Sequence, residues 1–158
     1  MILGKIFSPS MIKVPLEGED KEEVFEELVD VYVSRTDRSL REKILTAVNE
    51  RETKLSTGIK RGIAVPHARL DEIREICGVI GISPAGVDYE SLDGQPVHIV
   101  FLILSPGGDC FSYLRVLRRL ALLMENPDFY PALLQEKTAE GIHAVICRFE
   151  DALTDALP

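Results

Sequence analysis

Val97-His98-Ile99-Val100-Phe101-Leu102-Ile103-Leu104 is apolar at every position but one. A run of that kind reads as a central strand, buried on both faces. Pro106-Gly107-Gly108 ends it. Working upstream, residues 84–96 hold turn formers, Pro84, Gly86, Asp93 and Gly94, and residues 77–82 form a second apolar strand. Residues 56–70 have another texture. Gly58 and Gly62 lead into Ile63-Ala64-Val65 and then Pro66-His67, which reads as a strand that stops at the proline. Residues 11–16 form a short strand or an entry loop.

Helical periodicity flanks this block on both sides. Val24, Phe25, Leu28, Val31 and Tyr32 recur at three- and four-residue spacing, and acids crowd the first turn, which predicts a helix over residues 19–34. Asp37 or Ser39 caps a second helix over residues 40–49, with Leu40, Ile44, Leu45 and Val48 inward. Leu114, Leu117, Leu120, Ala121 and Met124 share one side of a helix over residues 112–124. Pro127 opens a short helix to residue 134, and Thr138 begins a last one to about residue 147. Helices first, strands in the middle and helices last predict an α+β fold: a three-layer α/β/α sandwich with a mixed central sheet. Strict βαβ alternation is absent, and so are GxGxxG and GxxxxGK[ST], which argues against a dinucleotide or P-loop fold. With 158 residues and no repeat or long linker, residues 1–158 read as one domain.

Composition narrows the function. Hydrophobic residues are 46% and charged residues 28%, a globular balance. The net charge of −8 disfavours nucleic acid and anionic lipid as partners and suits a partner with a basic face. No apolar stretch is long enough to span a bilayer, and residues 1–10 carry no evident signal peptide. Cys77, Cys110 and Cys147 are odd in number and not in CxxC pairs. That speaks against a disulfide framework or a zinc site and fits a reducing, cytoplasmic setting; no cofactor or metal is expected.

Three histidines are present. His67 follows a strand and a proline that restricts the backbone before it, a place where a rigid scaffold presents a side chain to solvent. Imidazole titrates near pH 6.5, so a neutral ring nitrogen is available as nucleophile or base. On spacing alone His67 reads first as a surface or capping histidine. Arg51 reads either as a solvated helix-end charge paired with Glu50 or Glu52, or as a partner for an anion. His98, inside the apolar strand, reads as a satisfied core histidine, and His143 as a surface residue. Cys110, in the loop of residues 107–111, reads as an inert thiol.

Arg51-Glu52, Ser56-Thr57-Gly58-Ile59 and Gly62-Ile63-Ala64-Val65-Pro66-His67, followed by Asp93-Gly94-Gln95-Pro96-Val97 and Ser105-Pro106, resemble the signature of the phosphotransferase-system EIIA type-2 domains. These are the fructose- and mannitol-type EIIA domains and the nitrogen-regulatory EIIA proteins. The resemblance extends over residues 12–149. It implies that His67 accepts a phosphoryl group from a histidine phosphocarrier protein (HPr- or NPr-like). The group then passes to an EIIB domain or is held as a signal to a regulatory target. It implies that Arg51 neutralises phosphate charge beside His67, and it allows Thr57, Gly58 and Arg69 as further phosphate contacts.

The chain departs from the family pattern at two places. Tyr113 occupies the position of the family's second histidine, with Arg115 nearby, and Ala68 replaces the glycine that commonly follows the first. A phenol donates a hydrogen bond but supplies no positive charge near neutral pH. A chain with no fused transporter domain leans toward the nitrogen-regulatory type, with sugar transport close behind. The competing expectation is an EIIA-like module that is poorly phosphorylated and regulates a transporter, kinase or transcription factor by docking. A metal hydrolase is set aside for lack of clustered ligands.

Overall fold

The computed structural model describes residues 2–156. The chain runs α1 (Leu3–Ile6), β1 (Ile12–Lys13), α2 (Lys21–Arg35), α3 (Arg41–Lys54), β2 (Gly58–Lys60), β3 (Ile63–Ala64), β4 (His67–Leu70), β5 (Cys77–Val87), β6 (Val97–Pro106), α4 (Cys110–Glu125), α5 (Phe129–Gln135) and α6 (Ala139–Ala156). The strands form one sheet in the order β1-β5-β6-β3-β2, with β4 also paired to β6. It is mixed: β6 is antiparallel to β5 and parallel to β3 and β4, and β1 is parallel to β5.

Side chains of β6 alternate between two apolar clusters. Val100, Leu102 and Leu104 pack with α2 and α3, whereas Ile99, Phe101 and Ile103 pack with α1, α4, α5 and α6. This is the expected three-layer sandwich, and it explains why the strand is apolar on both faces. Leu102 is 1% exposed, so its truncation to alanine would cost about 2–5 kcal/mol.

Local chemistry sets the helix bounds. The Asp20 carboxylate caps α2 by accepting the Glu23 N–H at 2.9 Å. Asp37 caps a 3₁₀ turn, Arg38–Leu40, through the Ser39 N–H, and α3 follows directly. α3 runs five residues past the expected end at Asn49, and the buried carboxylate of Glu52 anchors that extension. α6 likewise runs beyond Cys147, because Phe149, Glu150 and Leu153 continue its inward face. α1 and β2 were not expected from sequence. α1 docks through Leu3 and Phe7, and the N–H groups of Ile2, Leu3 and Gly4 all donate to the buried Glu150 carboxylate.

The segment leading to the site is a hairpin. Arg61 and Gly62 turn β2 into β3, both with positive φ. A Cβ on Gly62 would sit 2.5 Å from the Tyr130 hydroxyl, so any larger residue would have to displace that side chain and adopt a strained backbone. β3 does not simply end at Pro66. Ile63 pairs with Ile99 and His67 with Ile103, the same offset, so β3 and β4 are one line of chain along β6. The interruption is local: Pro66 lacks an N–H, but its carbonyl still accepts from Ile103 at 3.0 Å. His67 therefore opens a strand where the sequence suggested the end of one.

Candidate functional site

His67 is held at both ring nitrogens. Nδ1 lies 3.0 Å from the Val65 carbonyl, which can only accept, so Nδ1 carries the proton. Nε2 lies 3.1 Å from Arg51 Nε, which can only donate, so Nε2 presents its lone pair. The ring is thus the neutral Nδ1–H tautomer. Burial holds its pKa below the usual imidazole value. The Val65 hydrogen bond and the Glu52 charge oppose that shift, while the Arg51 and Arg69 charges add to it.

Arg51 stands on the last turn of α3, where a cation suits the helix dipole. Its Nη1 donates to the Leu55 carbonyl at 2.9 Å, which satisfies one of the orphan acceptors at the helix end. Nη2 has no hydrogen-bond partner among the described residues. Together with His67, Arg51 lines a cleft of about 390 Å³ that also receives Lys54, Arg69, Tyr113 and Glu50. Three fixed cations face one carboxylate there, so the cleft is cationic on an acidic protein.

Tyr113, in the first turns of α4, packs on His67 with ring centroids 5.1 Å apart and planes tilted by 46°. It meets the imidazole through its ring, with no hydrogen bond between the two. Burial raises its phenol pKa, with Arg51 and Arg69 pulling the other way. Cys110, the first residue of α4, is exposed at the rim of the same cleft. Arg69 is exposed on the cleft wall and makes no ion pair within 4.0 Å among the described residues. Arg115 is exposed two residues beyond Tyr113, about 200° around the helix from it, and so faces away from the imidazole.

Several expectations need correction. Thr57 does not reach into the cleft. It is 5% exposed, its hydroxyl donates to Glu52 at 2.7 Å and lies 2.8 Å from the Tyr89 hydroxyl. The Gly58 N–H donates to Ser56 Oγ at 3.2 Å rather than toward the cleft. His143 is no surface residue: it is half-buried, and its Nε2 donates to the Gly4 carbonyl at 2.8 Å. His98 is partnered as expected, through Nδ1 to the Ser83 carbonyl at 2.9 Å. Glu52 was expected only as a neighbour of Arg51, and Tyr89 and Lys21 were not singled out; together they form the polar cluster behind the site. The acid beside Arg51 and a lone tyrosine in the polar run Asp88-Tyr89-Glu90 were the available signals.

Comparison with known proteins places the chain in a family. Residues 5–148 match the family described as phosphoenolpyruvate-dependent sugar phosphotransferase system, EIIA 2, and the chain belongs to it. Members of this family act as phosphoryl carriers. Over 146 residues the chain is 35% identical to the fructose-specific EIIABC component of Bacillus subtilis, aligning 92% of this chain with 23% of that protein. It is 30% identical to a nitrogen regulatory protein of Bradyrhizobium diazoefficiens, covering 92% of this chain and 95% of the relative. The fold superposes on the nitrogen regulatory protein IIA-Ntr of Neisseria meningitidis with a TM-score of 0.85 at 26% identity, covering 92% and 99% of the two chains. It also superposes on a complex of enzyme IIA-Mtl and phosphorylated enzyme IIB-Mtl from Escherichia coli, with a TM-score of 0.75 at 16% identity, covering 89% and 98%; this is a likeness of fold. No helix among the described residues is long and apolar enough to cross a membrane.

Proposed function

We propose that this protein carries a phosphoryl group on Nε2 of His67. A histidine phosphocarrier protein donates the group, and an EIIB domain or a regulatory protein receives it or reads it. The observation that carries this reading is the paired anchoring of the imidazole, Nδ1–H on the Val65 carbonyl and Nε2 facing Arg51. In the transfer, the Nε2 lone pair forms a bond to phosphorus while the donor's P–N bond breaks and its electron pair stays on the donor imidazole. The accepting ring gains positive charge, which the Nδ1–H···O=C bond to Val65 partly offsets. Arg51 gives up its contact with Nε2 and turns its N–H groups to the phosphate oxygens. Its unpartnered Nη2 suits it to that role. Catalysis of this kind is positioning plus charge neutralisation.

Relatives of both the nitrogen-regulatory and the fructose type support the family role. A regulatory carrier and a sugar-uptake carrier would use the same site. A docking module that is weakly phosphorylated is the second reading, favoured by Tyr113, which adds no cation where the family has a second imidazole. Incubation with phosphoenolpyruvate, the first enzyme of the system and its phosphocarrier separates the two. Intact mass should rise by one phosphoryl group in wild type and stay unchanged in His67→Ala. An unmodified wild type would leave the docking module as the reading.

A further inference from the structure

Behind His67 lies a buried carboxylate that the transfer chemistry does not touch. Glu52 is 7% exposed and sits on α3 directly after Arg51. Three donors converge on it: the Thr57 N–H at 3.0 Å, the Thr57 hydroxyl at 2.7 Å and the Lys21 ammonium at 3.2 Å. Tyr89, fully buried, completes the set by donating to Thr57 Oγ1 at 2.8 Å. With a carboxylate at residue 52 the Thr57 hydroxyl donates to Glu52 and accepts from Tyr89.

A chain of hydrogen bonds leads from this cluster to the imidazole. Thr57, pinned twice by Glu52, accepts the Val65 N–H on its own carbonyl at 3.0 Å. Val65 in turn accepts Nδ1–H of His67. On the other side, Glu52 holds Thr57 against α3 and so closes the turn after the helix. The carbonyl of Leu55 in that turn fixes Arg51, which faces Nε2. Both contacts of the ring, at Nδ1 and at Nε2, are therefore referred to one carboxylate.

We propose that Glu52 is a positioning residue for His67: through Thr57 and the Val65 carbonyl it sets the tautomer and direction of the imidazole, and through the turn after α3 it sets the arginine opposite. The proposal rests on the phosphoryl-carrier reading for its consequence and on the hydrogen-bond chain for its substance. In Glu52→Gln the amide N–H₂ faces the Thr57 hydroxyl, which can no longer donate to residue 52 and must reverse its bond with Tyr89, while the Lys21 ammonium loses its countercharge. Thr57 then rotates and the Val65 carbonyl loses its alignment with Nδ1.

The test uses the full chain labelled with ¹⁵N-histidine, unphosphorylated, at a pH where His67 is neutral. Wild type should show Nδ1 protonated and Nε2 pyridine-like. Glu52→Gln should move the tautomer ratio toward Nε2–H by about two- to tenfold, the range set by one neutral hydrogen bond. The initial rate of phosphoryl uptake from the phosphorylated phosphocarrier should fall by roughly tenfold to a hundredfold, the scale of a small misplacement. Should Glu52→Gln not fold, Thr57→Val removes the hydroxyl alone and should shift the ratio in the same sense, with Thr57→Ser restoring it. A wild-type tautomer ratio in folded Glu52→Gln or Thr57→Val, with only the melting temperature changed, would overturn the proposal. If wild type takes up no phosphoryl group, the carrier reading falls, while the tautomer comparison still decides the role of Glu52.

Discussion

Replacing Arg51 probes the site at the contact that distinguishes it from an ordinary surface histidine. In the resting protein the guanidinium makes two hydrogen bonds, Nε to His67 at 3.1 Å and Nη1 to the Leu55 carbonyl at 2.9 Å. In the proposed transfer the Nε contact would be exchanged for a charged one to phosphate oxygen, worth about 1.5–3 kcal/mol. At about 1.4 kcal/mol per decade, Arg51→Ala should slow phosphoryl uptake by roughly ten- to a hundred-and-fifty-fold. Arg51→Lys, which keeps charge but loses the planar fork, should fall between. The fold depends on Arg51 much less: the residue is part-exposed, and a helix-end cation contributes about 0.3–1 kcal/mol. The variant also carries a second signature. Arg51 is one of the charges that depress the His67 pKa, so its removal should raise that pKa and move the acid limb of the rate profile to higher pH. The assay is stopped-flow or quenched uptake from the phosphorylated phosphocarrier across a pH series, with thermal melting as the control. Equal rates for wild type and folded Arg51→Ala would refute the reasoning.

Because the folded His67 pKa lies below its unfolded value, the unfolded chain takes the proton first as pH falls. His67 should therefore cost stability as pH drops from about 6.5 toward the folded pKa, a slope that urea unfolding should show in wild type and lose in His67→Ala. The same depression should keep phosphoryl uptake nearly flat at neutral pH, with its acid limb below 6.5, as read by rate profiles alongside a histidine NMR titration. Tyr113→His should raise uptake increasingly as pH falls toward 6, where a second imidazole becomes cationic; coincident curves would show that residue 113 takes no part in the transfer. Glu150→Ala strands three N–H groups and part of the Arg119 charge, and should cost about 3–5 kcal/mol in urea unfolding, with amide exchange accelerated first at residues 2–7.

The parts of the fold that were legible in the sequence are those held by apolar contacts. Val97–Pro106 announced itself because both of its faces are buried, and α2 and α4 because their inward residues recur every three or four positions. What periodicity could not show is structure anchored by polar groups. The expected end of α3 at Asn49 followed the last inward apolar side chain, Val48, whereas the helix continues because Glu52 is bonded by Thr57 and Lys21. α1 escaped notice for the same reason, since it is four residues long and held by Glu150 from the far end of the chain. His67 and Arg51, sixteen residues apart, meet only because β4 runs beside the end of α3. Spacing alone gave no sign of that, and the resemblance to EIIA domains did. Thr57 is expected among the phosphate contacts only on the strength of that resemblance. The buried acceptor that claims it lies five residues back on a helix.

The central claim is that Nε2 of His67 is the atom that accepts phosphorus. After phosphorylation of ¹⁵N-histidine-labelled protein, a ³¹P–¹⁵N correlation spectrum reads the attachment directly. The geometry predicts a single coupling, at Nε2 of His67, with Nδ1 still protonated against the Val65 carbonyl. A coupling at Nδ1, or at His98 or His143, would contradict it.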